Sequence, residues 1–131
     1  TDLMTVAPAV PDMIGSTLPR IGPQVLPERH LADAMEVIAS RLGYAPAMPW
    51  QYHAAANLTA LSDQRTVAGD RRFQSIEGAV VVSRQCGKTD LAERRALLGL
   101  FMGQLVLHTA HNLSLPLETF EKLVDRFQQM M

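Results

Sequence analysis

The 131-residue chain contains a single cysteine, Cys86, and only 19% of its residues are charged. One cysteine excludes an intramolecular disulfide and any zinc site built from a CxxC pair. The net charge of −1 excludes a polybasic protein that binds polyanions through bulk charge. No apolar run reaches the roughly 20 residues that a membrane-spanning helix requires. We therefore expect a soluble single domain from a reducing compartment, with no membrane contact.

The amino-terminal segment differs from the rest of the chain in its proline content. Apolar residues make up 47% of the sequence, which is enough for a core, but five of the eight prolines fall within residues 1–27. Proline lacks a backbone N–H donor and disfavours helix at the residue before it. We expect 1–27 to be an extended or disordered leader and 28–131 to form the folded domain.

Apolar periodicity indicates the regular elements of that domain. It predicts four helices, at 28–42, 50–61, 89–102 and from Ser114 onward. The stretches 79–83 and 105–110 are apolar and rich in β-branched residues, as strands buried on both faces are, and 73–76 is a weaker strand candidate. Strands that alternate with helices predict an α/β fold class with a parallel sheet. The side chains expected to face inward from the last helix are Leu117, Phe120, Val124 and Phe127.

The most informative segment follows the first of these predicted strands. It reads Ser83-Arg84-Gln85-Cys86-Gly87-Lys88-Thr89 and leads into a helix. A strand, a loop, Gly-Lys-Thr and a helix are the context of a phosphate-binding loop, whose N–H groups face the phosphates. Lys88 would reach the β- and γ-phosphates, and the Thr89 hydroxyl would bind Mg²⁺. The standard pattern begins with a glycine at the position that Val82 holds here, so the match is incomplete.

The loop at 83–89, which lacks this first glycine, resembles the variant Walker A loop of the large terminase subunits of tailed double-stranded DNA bacteriophages. Pro49-Trp50-Gln51 lies upstream on a predicted helix, as does the adenine-motif glutamine of that family. The stretches 94–101 and 105–111 also look similar, so the resemblance covers about residues 45–131. It implies the amino-terminal part of an ATPase domain. The expected fold is then a partial P-loop NTPase, a three-layer fold with a parallel sheet, preceded by helices.

The resemblance also assigns roles to individual residues. It implies that Ser83, Arg84, Gln85, Cys86, Gly87, Lys88 and Thr89 bind the nucleotide and that Gln51 contacts the adenine. Lys88 and Arg84 become candidate catalytic groups, Arg84 as an arginine finger that neutralises charge on the γ-phosphate. From the residues alone, Gln51 could equally be an ordinary polar helix residue, Arg84 a solvated loop arginine and His108 the end of a strand.

The same resemblance implies cofactors, partners and a location. The cofactors are ATP and Mg²⁺. The partners are double-stranded DNA, a portal protein, a small terminase subunit and further copies of the full-length chain in a homo-oligomeric ring. The protein would be encoded by a phage or prophage and would act in the host cytoplasm.

Two expected parts of such a motor have no counterpart in the sequence. An ATPase of this class requires a strand that ends in Asp-Glu, and the Asp-Glu dipeptide is absent. No residues remain for a nuclease with an acidic two-metal cluster. We therefore expect a slice of a DNA-packaging ATPase that is inactive alone. The alternatives are a non-catalytic nucleotide-binding module and a fragment of an unrelated helicase-like P-loop NTPase.

Overall fold

The computed structural model describes residues 16–83, 86–110, 112 and 114–130. Within these residues, helices dominate and the strands are short. In chain order the elements are α1 Ala32–Arg41, α2 Pro49–Leu58, β1 Leu61–Arg65, β2 Arg71–Phe73, α3 Lys88–Phe101 and α4 Ser114–Met130. Residues 1–15 of the predicted leader lie outside the described residues. None of the described helices is both long and apolar enough to cross a membrane.

The helix α3 lies against both α1 and α2 and forms the centre of the fold. Small side chains dominate this contact, which lets the helix axes approach closely. The buried residues that the three helices share are Ala32, Met35, Ala55, Ala56, Leu91 and Leu98. The start of α3 is therefore held at a fixed position relative to the other two helices.

Hydrogen bonds join the end of α2 to the segment before α1. The Thr59 side chain is fully buried; its hydroxyl donates to the Ala55 carbonyl at 2.7 Å and accepts from the Leu31 N–H at 3.1 Å. Two residues further along the chain, the Leu61 N–H donates to the Arg29 carbonyl at 2.8 Å. These bonds satisfy backbone groups that would otherwise be buried without partners, so they fix where α2 ends.

The leader residues 16–27 contain no helix or strand and are mostly exposed. One contact ties them to the helices. The Nε2 atom of His53, on α2, lies 2.8 Å from the Pro23 carbonyl oxygen. Because a carbonyl oxygen only accepts hydrogen bonds, this Nε2 carries the proton.

The predicted fold class is wrong. The described residues hold one sheet, the antiparallel pair β1–β2 with Leu61 opposite Phe73, so there is no parallel sheet and no partial P-loop NTPase three-layer fold. The segments 79–83 and 105–110 join no sheet, and Val81 and Leu107 expose 94% and 86% of their surface. A buried parallel strand requires strands beside it and helices over both faces, which the described residues do not provide for these segments. The result is a small, mostly helical fold.

The β1–β2 hairpin was missed by the sequence prediction, which extended the second helix to Leu61. The turn between the strands depends on Gly69, whose φ is +94°. The Thr66 N–H donates to the Asp70 carbonyl at 2.7 Å across this turn. Glycine adopts a positive φ without strain, so Gly69 was the local signal for a hairpin.

The last helix packs through its second half. Leu123 and Phe127 contact the cluster of Ala39, Leu42, Tyr44 and Leu97, and the Phe127 ring stacks on Phe101 with centroids 5.7 Å apart. The prediction that Leu117 and Phe120 face inward is wrong, because they expose 52% and 64% of their surface. The hydrophobic contacts of α4 with this cluster therefore lie in the second half of the helix, although Thr119 is already buried.

Charged side chains complete the contact between α4 and the core. The Arg126 guanidinium lies 4.4 Å from the centroid of the Tyr44 ring and donates to the Leu42 carbonyl at 3.0 Å. Lys122 reaches the buried Glu93 carboxylate at 3.4 Å. Burial, and then the negative charge of Glu93, raise the pKa of Tyr44 to about 12, although Arg126 acts in the opposite direction.

We predict that Tyr44 makes the fold sensitive to high pH. Its folded pKa lies above the unfolded value of 10, so its contribution to stability is complete below pH 10 and is lost as the pH rises toward 12. The free energy of unfolding, measured by urea denaturation, should fall between pH 9 and 12. In Tyr44→Phe this fall should be smaller by up to about 2 kcal/mol.

Tyr52→Phe is the comparison variant. Tyr52 donates to the Asp33 carboxylate at 2.8 Å, so its replacement should destabilise the protein already at pH 7. Tyr44→Phe should not, because the buried Tyr44 hydroxyl has no hydrogen-bond partner in the described part of the chain. An unchanged alkaline slope in Tyr44→Phe would contradict the prediction.

Candidate functional site

The amino terminus of α3 offers unpaired backbone N–H groups. Gly87 precedes the helix with a φ of +91°, and its carbonyl accepts the first helical hydrogen bond, from Leu91 at 3.1 Å. No side chain caps this end, and within the described residues no acceptor contacts the N–H groups of Lys88, Thr89 and Asp90. Unpaired N–H groups and the helix dipole together attract anions.

The side chain of Gln51 holds this helix end against α2. Gln51 exposes only 3% of its surface. Its Oε1 accepts from the Met48 N–H at 2.8 Å, and its Nε2 donates to the Gly87 carbonyl at 2.9 Å and to Asp90 Oδ2 at 3.2 Å. Both N–H donors of the amide are thus used within the protein. The adenine contact predicted for Gln51 would require some of these bonds to break.

Glycine is required at position 87 for two reasons. The first is the left-handed backbone conformation, which residues with a Cβ adopt only at a cost of about 1–2 kcal/mol. The second is space, because a Cβ here would lie 2.7 Å from the Nε2 of Gln51 and 2.9 Å from the Cε of Met48. The close approach of the loop to α2 therefore depends on the absence of a side chain.

A buried arginine extends this network to α1. The Arg94 side chain is 4% exposed; its Nε donates to Asp90 at 2.7 Å and one terminal nitrogen donates to Glu36 at 2.8 Å. Its other terminal nitrogen donates to the Ala45 carbonyl. The positive charge of Arg94, which is shared between Asp90 and Glu36, offsets part of the negative charge of Asp90 in the first turn of α3. The helix end consequently keeps its attraction for an external anion.

Lys88 and Thr89 are the side chains at this end that face solvent. Both are exposed, and neither forms an ion pair or a side-chain hydrogen bond with the rest of the described chain. Ser83 is exposed and Cys86 is half-buried. The structure thus places Gly87, Lys88 and Thr89 together at the helix terminus, as the motif predicted. Arg84 and Gln85, two further predicted site residues, lie outside the described residues.

An open groove of about 540 Å³ begins at Lys88 and follows one face of α3. The helix contributes Lys88 and Arg95 to it, which are seven residues apart and so lie two turns apart on the same face. Residues of the segments 75–80 and 104–108 form its walls. The Arg95 guanidinium lies 5.2 Å from the centroid of the Phe73 ring, and burial lowers the pKa of Arg95 from its usual value.

Sequence reasoning missed two polar groups of this groove. Arg95 has no carboxylate partner in the described part of the chain. Its spacing of seven residues from Lys88 could have indicated that both lie on one face of the helix. His108 lines the opposite wall, and its Nε2 is buried without a hydrogen-bond partner among the described residues. Nothing in the local sequence distinguishes His108 from a residue at the end of a strand.

The described residues contain no group of three or more His, Cys, Asp or Glu side chains arranged to hold a metal ion. The Asp90 carboxylate is directed to Arg94 and Gln51. A magnesium ion here would find one oxygen ligand in Thr89 and would take its other ligands from water and bound phosphates. This donor set fits an ion that arrives with a nucleotide rather than a resident metal.

We predict different effects for two glycine substitutions with the same backbone requirement. Gly69 and Gly87 have φ values of +94° and +91°, but a Cβ at Gly69 would meet nothing within 4 Å. Gly69→Ala should lower the free energy of unfolding by about 1 kcal/mol, the cost of the left-handed backbone. Gly87→Ala should lower it by about 2–4 kcal/mol, because the Gln51 contacts are also disturbed. Equal losses in urea denaturation would contradict the role assigned to Gln51.

Comparison of the chain with protein-family models, with curated proteins and with solved structures finds no match. The function is therefore inferred from the geometry of the α3 terminus and the adjoining groove.

Proposed function

We propose that the chain binds the phosphates of a nucleotide at the amino terminus of α3. The observation that carries the proposal is the coincidence, at this terminus, of N–H groups and an exposed Lys88 that have no partner among the described residues. Backbone N–H groups, a helix dipole and an ammonium group attract the same ligand, a phosphate chain. The N–H groups of the helix terminus alone would bind any small anion, whereas Lys88 favours a ligand with several adjacent charges.

In this proposal the nucleotide is ATP with Mg²⁺. Lys88 neutralises the terminal phosphates, and Thr89 supplies an oxygen to the magnesium ion. The ion would draw charge away from the β- and γ-phosphates when bound. Cys86 and Gly87 contribute the backbone that approaches the phosphates, with Ser83 at the start of the loop. The role of Arg84 as an arginine finger remains part of the proposal, supported by the family resemblance alone.

The resemblance of the loop at 83–89 to large terminase subunits supports a wider proposal. The chain would be the ATP-binding portion of a viral DNA-packaging motor, an ATPase that also carries an endonuclease when full length. Its partners would be double-stranded DNA, a portal protein, a small terminase subunit and further copies in a ring, in the host cytoplasm. The mostly helical fold is not the P-loop fold of such motors, so this wider proposal depends on the sequence of the loop.

A non-catalytic nucleotide-binding module is the second candidate. It is favoured by the position of Asp90, the carboxylate nearest to Lys88 in sequence. Its Oδ2 accepts from both Arg94 and Gln51, so this oxygen is not available to take a proton from a water that would attack a phosphate. A general base must lie within hydrogen-bond reach of that water.

Binding can be tested by calorimetry with Mg²⁺-ATP. We expect Lys88→Ala to weaken binding at least 10-fold, which corresponds to about 1.4 kcal/mol, because it removes the charge that faces the phosphates. Hydrogen exchange at 86–91 should slow on binding in the parent chain and not in the variant. Arg41→Ala is the control: it removes one exposed positive charge at the last residue of α1. Equal losses in the two variants would show that the attraction is not local to α3.

The isolated chain should release no phosphate from ATP above background. Asp90, the carboxylate in the first turn of α3, is already paired with Arg94, and the sequence lacks the Asp-Glu dipeptide that ends the catalytic strand of such ATPases. A steady-state phosphate-release assay measures this directly. Turnover that disappears in Lys88→Ala would contradict the expectation and would show that another residue of this chain acts as the base.

A further inference from the structure

If a nucleotide lies at α3, its base must be recognised by a group other than Gln51. The amide of Gln51 has two N–H donors, and the Gly87 carbonyl and the Asp90 carboxylate accept from them. Its Oε1 accepts from Met48. A base could displace these partners only by loosening the contact between α2 and the start of α3.

The groove beside α3 offers a different location. It begins at Lys88, the residue proposed to hold the phosphates, and its volume of about 540 Å³ lies within the range of small-molecule sites. Leu58, Val80 and Leu91 give it apolar surface that suits a flat ring. A ligand with its phosphates at the helix terminus can therefore extend into this groove without any movement of Gln51.

One buried polar atom in the groove lacks a partner in the described part of the chain. The Nε2 of His108 is buried and forms no hydrogen bond with the described residues. A buried polar atom without a partner is destabilising, so such atoms in proteins are usually satisfied by a ligand or water. A heteroaromatic base carries both donors and acceptors on its edge. It can pair with Nε2 whichever tautomer His108 adopts.

The second polar feature is a planar cation. Arg95 lies two turns along α3 from Lys88, with its guanidinium over the Phe73 ring and without a carboxylate partner in the described chain. Guanidinium groups stack on the faces of aromatic rings and bases. Arg95 and Lys88 also give this face of α3 a positive charge that matches a triphosphate.

We propose that this groove is the base-binding subsite of a nucleoside triphosphate, with His108 as the hydrogen-bonding group and Arg95 as the stacking group. The inference rests on the proposed function, because the phosphates of the same ligand lie at Lys88. It assigns to His108 and Arg95 the recognition that the sequence resemblance assigns to Gln51.

The test compares Mg²⁺-ATP with Mg²⁺-tripolyphosphate, which has the phosphates and no base. Calorimetry on the full chain should show ATP binding at least 10-fold more tightly than tripolyphosphate. Ala92→Trp places a large side chain in the groove at an exposed position of α3. It should remove the preference for ATP and leave tripolyphosphate binding unchanged. Ala68→Trp, at the exposed hairpin turn outside the groove, is the matched control and should change neither affinity.

A second variant tests the hydrogen bond without filling the groove. His108→Ala should weaken ATP binding about 5- to 10-fold and leave tripolyphosphate binding unchanged, and His108→Gln should recover part of the loss. The NMR signal of the His108 ring should shift with ATP and not with tripolyphosphate. Circular dichroism on each variant checks that the helices are retained.

The outcomes separate the two proposals. Suppose that tripolyphosphate binds and that this binding depends on Lys88. The subsite proposal would then be overturned, and phosphate binding retained, if ATP binds no more tightly or if both Ala92→Trp and His108→Ala leave the preference for ATP unchanged. Absence of binding by either ligand would overturn both proposals. ATP binding that is lost only when Gln51 is replaced would return base recognition to Gln51.

Discussion

Arg94 joins parts of the chain that are far apart in sequence. Its guanidinium contacts Asp90 on its own helix, Glu36 on α1 and the carbonyl of Ala45 in the connection to α2. Such a group is costly to bury unless its donors are all satisfied, and removal of one partner from a buried pair typically destabilises a protein by about 3–5 kcal/mol. Against a total stability of about 5–15 kcal/mol, this contact is a large addition to the hydrophobic packing that holds α1 against α3. The Gln51 bonds to Gly87 and Asp90 continue the same network to α2, so the start of α3 is fixed from both sides.

This network also explains why an acidic residue in the first turn of α3 does not prevent anion binding. Asp90 stabilises the helix dipole, but an uncompensated carboxylate so near Lys88 would repel a phosphate chain. Pairing with Arg94 at 2.7 Å reduces that repulsion, although Arg94 also pairs with Glu36 at 2.8 Å. The structural role of Arg94 and the electrostatics of the candidate site are therefore consequences of one contact.

The elements that sequence reasoning located well are those with local determinants. The starts of α2 at Pro49 and α3 at Lys88 follow from proline, glycine and periodicity, and the placement of Gly87-Lys88-Thr89 at a helix start was likewise predicted. The parallel sheet was wrong because the β-branched residues of 79–83 indicate a strand only where other strands pair with it. The Gly87 carbonyl that Gln51 contacts is 36 residues away in the chain, and the Glu36 carboxylate that Arg94 contacts is 58 residues away; no local pattern reports such contacts. The hairpin strand β1 carries no apolar alternation, so only Gly69 marked it.

The burial pattern of α3 connects the terminus to the groove. Between Leu91 and Gly99 most residues of the helix are buried. They include two charged residues: Glu93, which contacts Lys122 on α4, and Arg94, which contacts Glu36 on α1. In that stretch Ala92 is exposed and Arg95 is half-buried, and both lie on the same face as Lys88. A ligand held at Lys88 can extend along α3 only on this face, because the other faces are covered by protein. The direction of the groove is thus set by the packing of α1, α2 and α4 around α3.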